Sequence, residues 1–144
     1  MKPRLCAAGV KLRDQINHAY PDRDKSSDGW VADARHQSAG NSDHIPNEQG
    51  WVLAIDVDRD LNGKPKPDEM PYLADQLRSL AKAKRDGGRI SYLIFDAKIA
   101  SSKKNWAWRD YEGFNAHRHH LHCSFTAKGI QDDSPFDIPL LKDK

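Results

Sequence analysis

The sequence is short of cysteine, of net charge and of long apolar runs. Its two cysteines, Cys6 and Cys123, stand at opposite ends and lack any Cys-x-x-Cys spacing, so they read as small buried thiols kept reduced, with a disulfide between them as the alternative. The 23 basic and 21 acidic side chains nearly cancel to a formal charge of +2. That balance argues against a dedicated nucleic-acid binder, which would carry a clustered basic excess. The start, Met1-Lys2-Pro3-Arg4, is basic, but Lys11, Arg13 and Asp14 follow too soon for the apolar stretch of a signal peptide. Nothing approaches a membrane-spanning run, so no stable membrane association is expected and synthesis is placed in a cytosol. Internal repeats and low-complexity tracts are also missing. A chain of 144 residues then reads as one domain, 1–144, around a single modest core.

Within that frame the apolar residues have readable spacings. Leu5, Ala8, Leu12, Ile16 and Ala19 recur at helical intervals and Pro21 stops them, predicting an amphipathic first helix. From Asp22 to Gln49 the composition turns to Ser, Asp, Asn, Gly, Pro and His, which is loop chemistry over an unusually long stretch. Trp51 to Val57 reads as a buried strand that contains an unexpected carboxylate, Asp56. Met70, Leu73, Leu77 and Leu80 predict a second helix to about Lys84, ended by Gly87-Gly88. Arg89 to Phe95 reads as another buried strand, Lys98 to Ala100 as a short one, and Leu121, Cys123 and Phe125 alternate in a last strand. From about Asp132 the chain reads as a polar, proline-containing tail.

Five of the seven histidines fall in two places: His44 near the end of the polar loop, and His117, His119, His120 and His122 in one six-residue window. On a strand, His120 and His122 share a face while Leu121 and Cys123 turn to the core. Asp56, inside an apolar strand, needs a partner to be worth burying. Taken singly, His44 is an ordinary polar loop residue, Asp56 a turn cap, and Trp106 and Trp108 packing aromatics. Taken jointly, His44, Asp56 and His122 supply the three protein ligands of a hydrolytic Zn2+ site, which leaves a fourth position for water. His120 is then placed to act as base or oxyanion stabiliser, and Arg35 or Arg118 to meet developing charge.

Ser42-Asp43-His44 followed by Gly50 to Val57 resembles the first motif of the zinc D-Ala-D-Ala carboxypeptidase and L-alanyl-D-glutamate endopeptidase superfamily, which shares its fold with the hedgehog domain. Tyr92 to Phe95, Lys98 to Ser101, Trp106 to Asn115, and His117 with His120-Leu121-His122 are similar to the version in actinobacterial phage lysins, so the likeness spans about Ala34 to Phe125. It implies an α+β fold, a small mostly antiparallel sheet with flanking helices. It also implies His44, Asp56 and His122 as ligands of one zinc ion. His120 matches the first histidine of a catalytic His-x-His pair, and His119 stands where many relatives place an acidic base, so the base is left between the two. Ser42, Asp43, Trp108, Tyr111 and His117, in or beside the same motifs, are the candidate substrate-binding residues, and Arg35 completes the catalytic candidates. The implied activity is a peptidoglycan peptidase of endolysin type, a monomer made in a host cytoplasm and acting on the bacterial cell wall after release. The eleven residues between His44 and Asp56 exceed the shortest family spacing and lengthen the connecting loop.

Two other readings compete. Asp56, Asp58 and Asp60 beside a histidine cluster would suit a metal-dependent nuclease, although the Lys and Arg residues scatter rather than form a groove. A non-catalytic metal- or wall-binding module would keep the ligands without turnover.

Overall fold

The structure is a computed structural model that describes residues 2–30, 43–63, 68–113 and 116–142. Arg4–Leu5 form a short strand, β1, and α1 follows at once over Ala7–Ala19. Leu5 was expected to open the helix. It is drawn into a strand instead because the Arg4 N–H donates to the Gly50 carbonyl and the Cys6 N–H to that of Val52. Ala8, Gly9, Leu12 and Ile16 form the buried stripe of α1, which ends as Tyr20 N–H caps the Ile16 carbonyl and Pro21 cannot extend the ladder.

The expected strand Trp51 to Val57 is two strands, β2 (Trp51–Val52) and β3 (Ala54–Asp58). The break falls at Leu53, whose N–H goes to the Asp43 carbonyl and whose carbonyl takes the Phe125 N–H. β2 pairs in parallel with β1, whereas β3 joins the main sheet. The second helix, α2 (Met70–Lys82), carries Pro71 in its first turn and buries Met70, Leu73, Ala74, Leu77, Leu80 and Ala81. Beyond it Lys84, Gly87 and Gly88 take positive φ, a conformation glycine adopts without a Cβ clash, and the chain reverses into β4 (Ile90–Phe95).

β5 (Lys98–Ser101), β6 (Arg109–Asp110) and β7 (His120–Phe125) complete a five-stranded sheet of order β3-β7-β4-β5-β6, with every neighbouring pair antiparallel. The fold is therefore α+β. β6, two residues long, has no apolar alternation and was not expected. One sheet face sends Ile55, Val57, Leu93, Phe95, Leu121, Cys123 and Phe125 into a core shared with both helices. Each large side chain fully buried there contributes about 1.5–3 kcal/mol. Cys6 and Cys123 are both buried and free.

The residues expected to be a polar tail pack instead. Phe136, Ile138 and Leu141 belong to the core cluster. Gln15 of α1 brackets the Phe136 backbone, accepting its N–H at 2.8 Å and donating to its carbonyl at 3.0 Å. Arg89, 2% exposed, lies over the Phe136 ring at 4.0 Å and donates to the Ser134 carbonyl at 2.6 Å. Among the described residues no helix is long and apolar enough to cross a membrane.

Candidate metal centre

β3 and β7 are in a register that sets Asp56 directly opposite His122. Because side chains two apart share a face, Asp56, His120, His122 and Ser124 gather on the side of the sheet away from Leu121 and Cys123. β4 adds Tyr92 opposite Ser124, and its ring stacks on His122 with centroids 5.5 Å apart and planes 18° from parallel.

The loop before His44 is tied to the same strand. Gly29 and Asp56 exchange backbone hydrogen bonds of 3.1 and 2.7 Å, which lays Trp30 alongside β3. Arg23, its side chain 1% exposed, anchors the loop's beginning by a two-pronged pair with Asp28, whose Oδ1 also accepts the Asp58 N–H at 2.7 Å. The Trp30 carbonyl then meets His44 Nδ1 at 2.9 Å. A carbonyl only accepts, so Nδ1 carries the hydrogen.

His44 Nε2 lies 3.2 Å from Asp56 Oδ1, His122 Nδ1 lies 3.1 Å from the same oxygen, and His120 Nε2 lies 3.6 Å from it. His44 and His122 are 4% and 5% exposed. With the hydrogen of a neutral His44 placed on Nδ1, its Nε2 would offer Asp56 a lone pair against a lone pair. A cation must sit between them, either a proton or a metal ion. The donor atoms of His44, Asp56 and His122 all lie within 4.8 Å of one another. Ligands bonded at 2.0–2.1 Å to a tetrahedral ion stand about 3.3 Å apart, close to the 3.2 and 3.1 Å that separate His44 and His122 from Asp56. Nitrogen and carboxylate donors of this kind fit zinc.

Without a metal the charges rearrange around protons. Burial pushes the Asp56 carboxyl up, but hydrogen bonds from His122 and His44 outweigh it and hold the group far below the usual carboxylate range. Burial draws His44 down, and the Asp56 carboxylate more than reverses that, leaving it above its ordinary value. For His120 burial prevails over the Asp56 charge, so its pKa is lowered and the ring is neutral near pH 7. Asp56, His117 and His120 form a second possible ligand group. The His44, His120 and His122 contacts all address Oδ1, so the two groups overlap on one oxygen and describe one centre.

The other expected site residues divide. His117 is buried, with its ring 4.9 Å from His120 and 5.4 Å from His122, and Tyr111 lies edge-on to it at 5.7 Å. His119 is exposed, and among the described residues its ring makes none of the ring or carboxylate contacts that its neighbours make, although its charge reaches His120. Trp108 is turned away from the centre, its indole N–H donating to Asp75 of α2 at 3.0 Å. Trp106 is a core residue. Arg118 is on the rim, paired with Asp96 at 3.3 Å. Asp43 belongs to the centre's surroundings: burial pushes the Tyr92 phenol up and the nearby Asp43 charge adds to it. Arg35 and Ser42 lie outside the described residues.

Asp56, Asp58 and Asp60 do not make one site. Asp58 points to the Ser27 and Asp60 N–H groups and groups with Asp24 and Asp60, apart from the histidines. Sequence reasoning missed Tyr92, Ser124 and the Trp30 carbonyl. Ser124 shares the strand face of His122 and was findable by its two-residue spacing. No family model, curated protein or solved structure matches the chain.

Proposed function

We propose that this protein is a zinc-dependent peptidoglycan peptidase of endolysin type, hydrolysing a peptide bond in the stem or cross-link peptide of the bacterial cell wall. The observation that carries the reading is the convergence of His44 Nε2 and His122 Nδ1 on Asp56 Oδ1 at 3.2 and 3.1 Å. That donor set suits one hydrolytic zinc, and the order of motifs resembling the D-Ala-D-Ala carboxypeptidase and L-alanyl-D-glutamate endopeptidase superfamily names the substrate. Zinc, when bound, supplies Lewis-acid polarisation and a water of lowered pKa.

The chain's own residues do the remainder. His44, Asp56 and His122 hold the ion. His120, neutral near pH 7 and within 3.6 Å of Asp56, takes a proton at Nε2 and returns it to the leaving amine. Tyr111 and His117 line the approach to that ring. Separation of the three aspartates weighs against the nuclease reading, since among the described residues the histidines group with one carboxylate, that of Asp56.

The test is digestion of purified peptidoglycan followed by mass spectrometry of the muropeptides, with and without a zinc chelator. The expected result is new peptide termini that vanish with chelator and return with zinc. Intact muropeptides from a zinc-loaded protein would overturn the activity.

A further inference from the structure

His44 and His122 each have a hydrogen-bonding partner behind the ring, the Trp30 carbonyl and Ser124 Oγ. His120 is held differently. Among the described residues its ring makes no hydrogen bond, and Asp56 Oδ1 stands 3.6 Å away, beyond hydrogen-bond reach. Its orientation falls to a ring contact with His117, edge-on with centroids 4.9 Å apart and planes at 72°. His117 is buried and also meets His122 edge-on at 5.4 Å, so it packs against both members of the His-x-His pair.

His117 is itself pinned in a costly backbone. Its φ is 56°, in the left-handed region, which persists at a residue with a side chain only where the surroundings impose it. The imposing element is the two-residue turn between β4 and β5, Asp96 and Ala97, whose φ values of 53° and 63° are left-handed as well. Asp96 N–H donates to the His117 carbonyl at 3.0 Å, Ala97 N–H donates to the Ala116 carbonyl at 2.8 Å, and the Ala97 carbonyl accepts from Tyr111 N–H at 2.9 Å. One turn thus fixes the backbones of both His117 and Tyr111, whose rings meet edge-on at 5.7 Å. The Tyr111 ring also lies across Gly113, where a Cβ would stand 2.1 Å from both its Cζ and its hydroxyl oxygen. Only glycine leaves the ring that room.

We infer that Tyr111 and His117 form a buttress, seated on Gly113 and pinned by the Asp96–Ala97 turn, that sets the orientation of the His120 imidazole for proton transfer. Both were expected from the sequence to bind substrate. As positioning residues they act through His120 instead. A reacting group displaced by about 1 Å can lose about 100-fold in rate, so a packing contact of this kind reaches turnover without touching the reacting atoms. The inference rests on the proposed peptidase activity with His120 as its proton carrier, and adds to it what holds that group in place.

The test uses Gly113→Ala and His117→Asn, each alone and combined with His120→Ala. Gly113 is exposed, so an alanine there displaces the Tyr111 ring and leaves the core untouched. Asparagine tolerates the left-handed backbone while removing the ring. Measured are kcat and KM on peptidoglycan fragments, zinc affinity by competition with a chromophoric chelator, and proton NMR contacts among the Tyr111, His117 and His120 rings in the zinc-free protein. Each single variant is expected to lower kcat by about 10–100-fold with KM and zinc affinity within about twofold of the parent, and Gly113→Ala to lose the contact between Tyr111 and His117. In the His120→Ala background neither change should lower kcat further, because the group they serve is gone. Ring contacts that persist in Gly113→Ala, a kcat in either single variant within about twofold of the parent, or a further fall in the His120→Ala background overturns the buttress and leaves the peptidase reading standing. Zinc affinity lower by more than about tenfold in His117→Asn would make His117 a metal ligand and overturn the buttress as well. A zinc-loaded parent that leaves the fragments intact overturns the peptidase reading and the buttress together.

Discussion

The Trp30 carbonyl accepts a hydrogen bond from His44 Nδ1 at 2.9 Å, and this contact fixes which nitrogen of the histidine faces Asp56. It leaves Nε2 as the atom facing Asp56, as Ser124 leaves Nδ1 of His122. Both imidazoles are therefore oriented by groups behind them, one main-chain and one side-chain, and both offer the same carboxylate oxygen a nitrogen. Two oriented nitrogens and one anion in a nearly buried place require positive charge between them.

Protons meet that requirement in the zinc-free protein, and under the proposed function zinc takes their place. The protein is expected to take up one ion, and Asp56→Asn, which keeps the shape and removes the charge, should lower its affinity by more than the roughly 100-fold ceiling of outer-shell partners. His44→Ala should do likewise. Equilibrium dialysis with metal analysis checks both, and an Asp56→Asn protein with undiminished zinc content would sink the ligand assignment.

Zinc and protons compete for the same nitrogen, which gives a pH dependence of known sign. The zinc-free pKa of His44 is raised, so its proton stabilises the fold fully below the unfolded value of about 6.5 and that contribution is lost as pH rises through the folded value. Asp56, held far below the carboxylate range, stays ionised throughout this window. Added zinc must displace the His44 proton, so the rise in melting temperature it produces should be small below about pH 6.5 and should grow as pH increases toward 8. Thermal melts with and without zinc across that range decide it. A zinc-induced shift that stays flat with pH would contradict the protonated His44.

The two helices and the faces of β7 were legible in the sequence because each depends on local period alone. Met70, Leu73, Leu77 and Leu80 are all buried as their spacing requires, and His120 shares a sheet face with His122. The opposition of Asp56 to His122 and of Tyr92 to Ser124 is a matter of strand register between distant segments, which period cannot supply. Trp30 contributes a carbonyl, a group every residue carries, so no residue type could advertise it. The segment after Asp132 misled through its average: its Asp and Pro residues outnumber its four apolar ones, yet Phe136, Ile138 and Leu141 join the core and Leu140 packs against it.

That packing makes the segment part of the fold's stability. Phe136 is 1% exposed beneath Arg89 and against Phe125, so Phe136→Ala should cost about 3–5 kcal/mol, the range for truncating a buried aromatic. Urea unfolding followed by circular dichroism measures it. A loss under about 1 kcal/mol would mean that the segment is not docked in solution.

Arg23 offers a parallel case on the side of the metal centre. Its guanidinium is buried against Asp28 and Asn17, and Asp28 in turn holds the Asp58 N–H, so the pair links the loop to β3. Arg23→Met should destabilise by about 3 kcal/mol, because it leaves Asp28 without its partner. Zinc affinity should fall with it, since Gly29 and Trp30 lie just beyond the pair and Trp30 orients His44. An Arg23→Met protein that loses stability while binding zinc as tightly as the parent would show that the Trp30 carbonyl is held without this pair.

The choice between His120 and His119 as the proton-transferring group can be made by comparing two alanine variants. His120 is half-buried, 3.6 Å from the Asp56 oxygen and in ring contact with His117, whereas His119 is exposed with its carbonyl given to the Arg59 N–H. A group that takes a proton in the transition state contributes about 10²–10⁴-fold, and an exposed neighbour that only adds charge contributes far less. His120→Ala should therefore lower kcat on peptidoglycan fragments by that factor while leaving zinc content unchanged, and His119→Ala should stay within several-fold of the parent. Because His120 is neutral near pH 7, the parent's activity should fall on the acid side as this ring gains a proton, and the acid limb should be absent from whatever activity His120→Ala retains. If the acid limb persists in His120→Ala and disappears in His119→Ala, the proton passes through the exposed ring and the assignment is reversed.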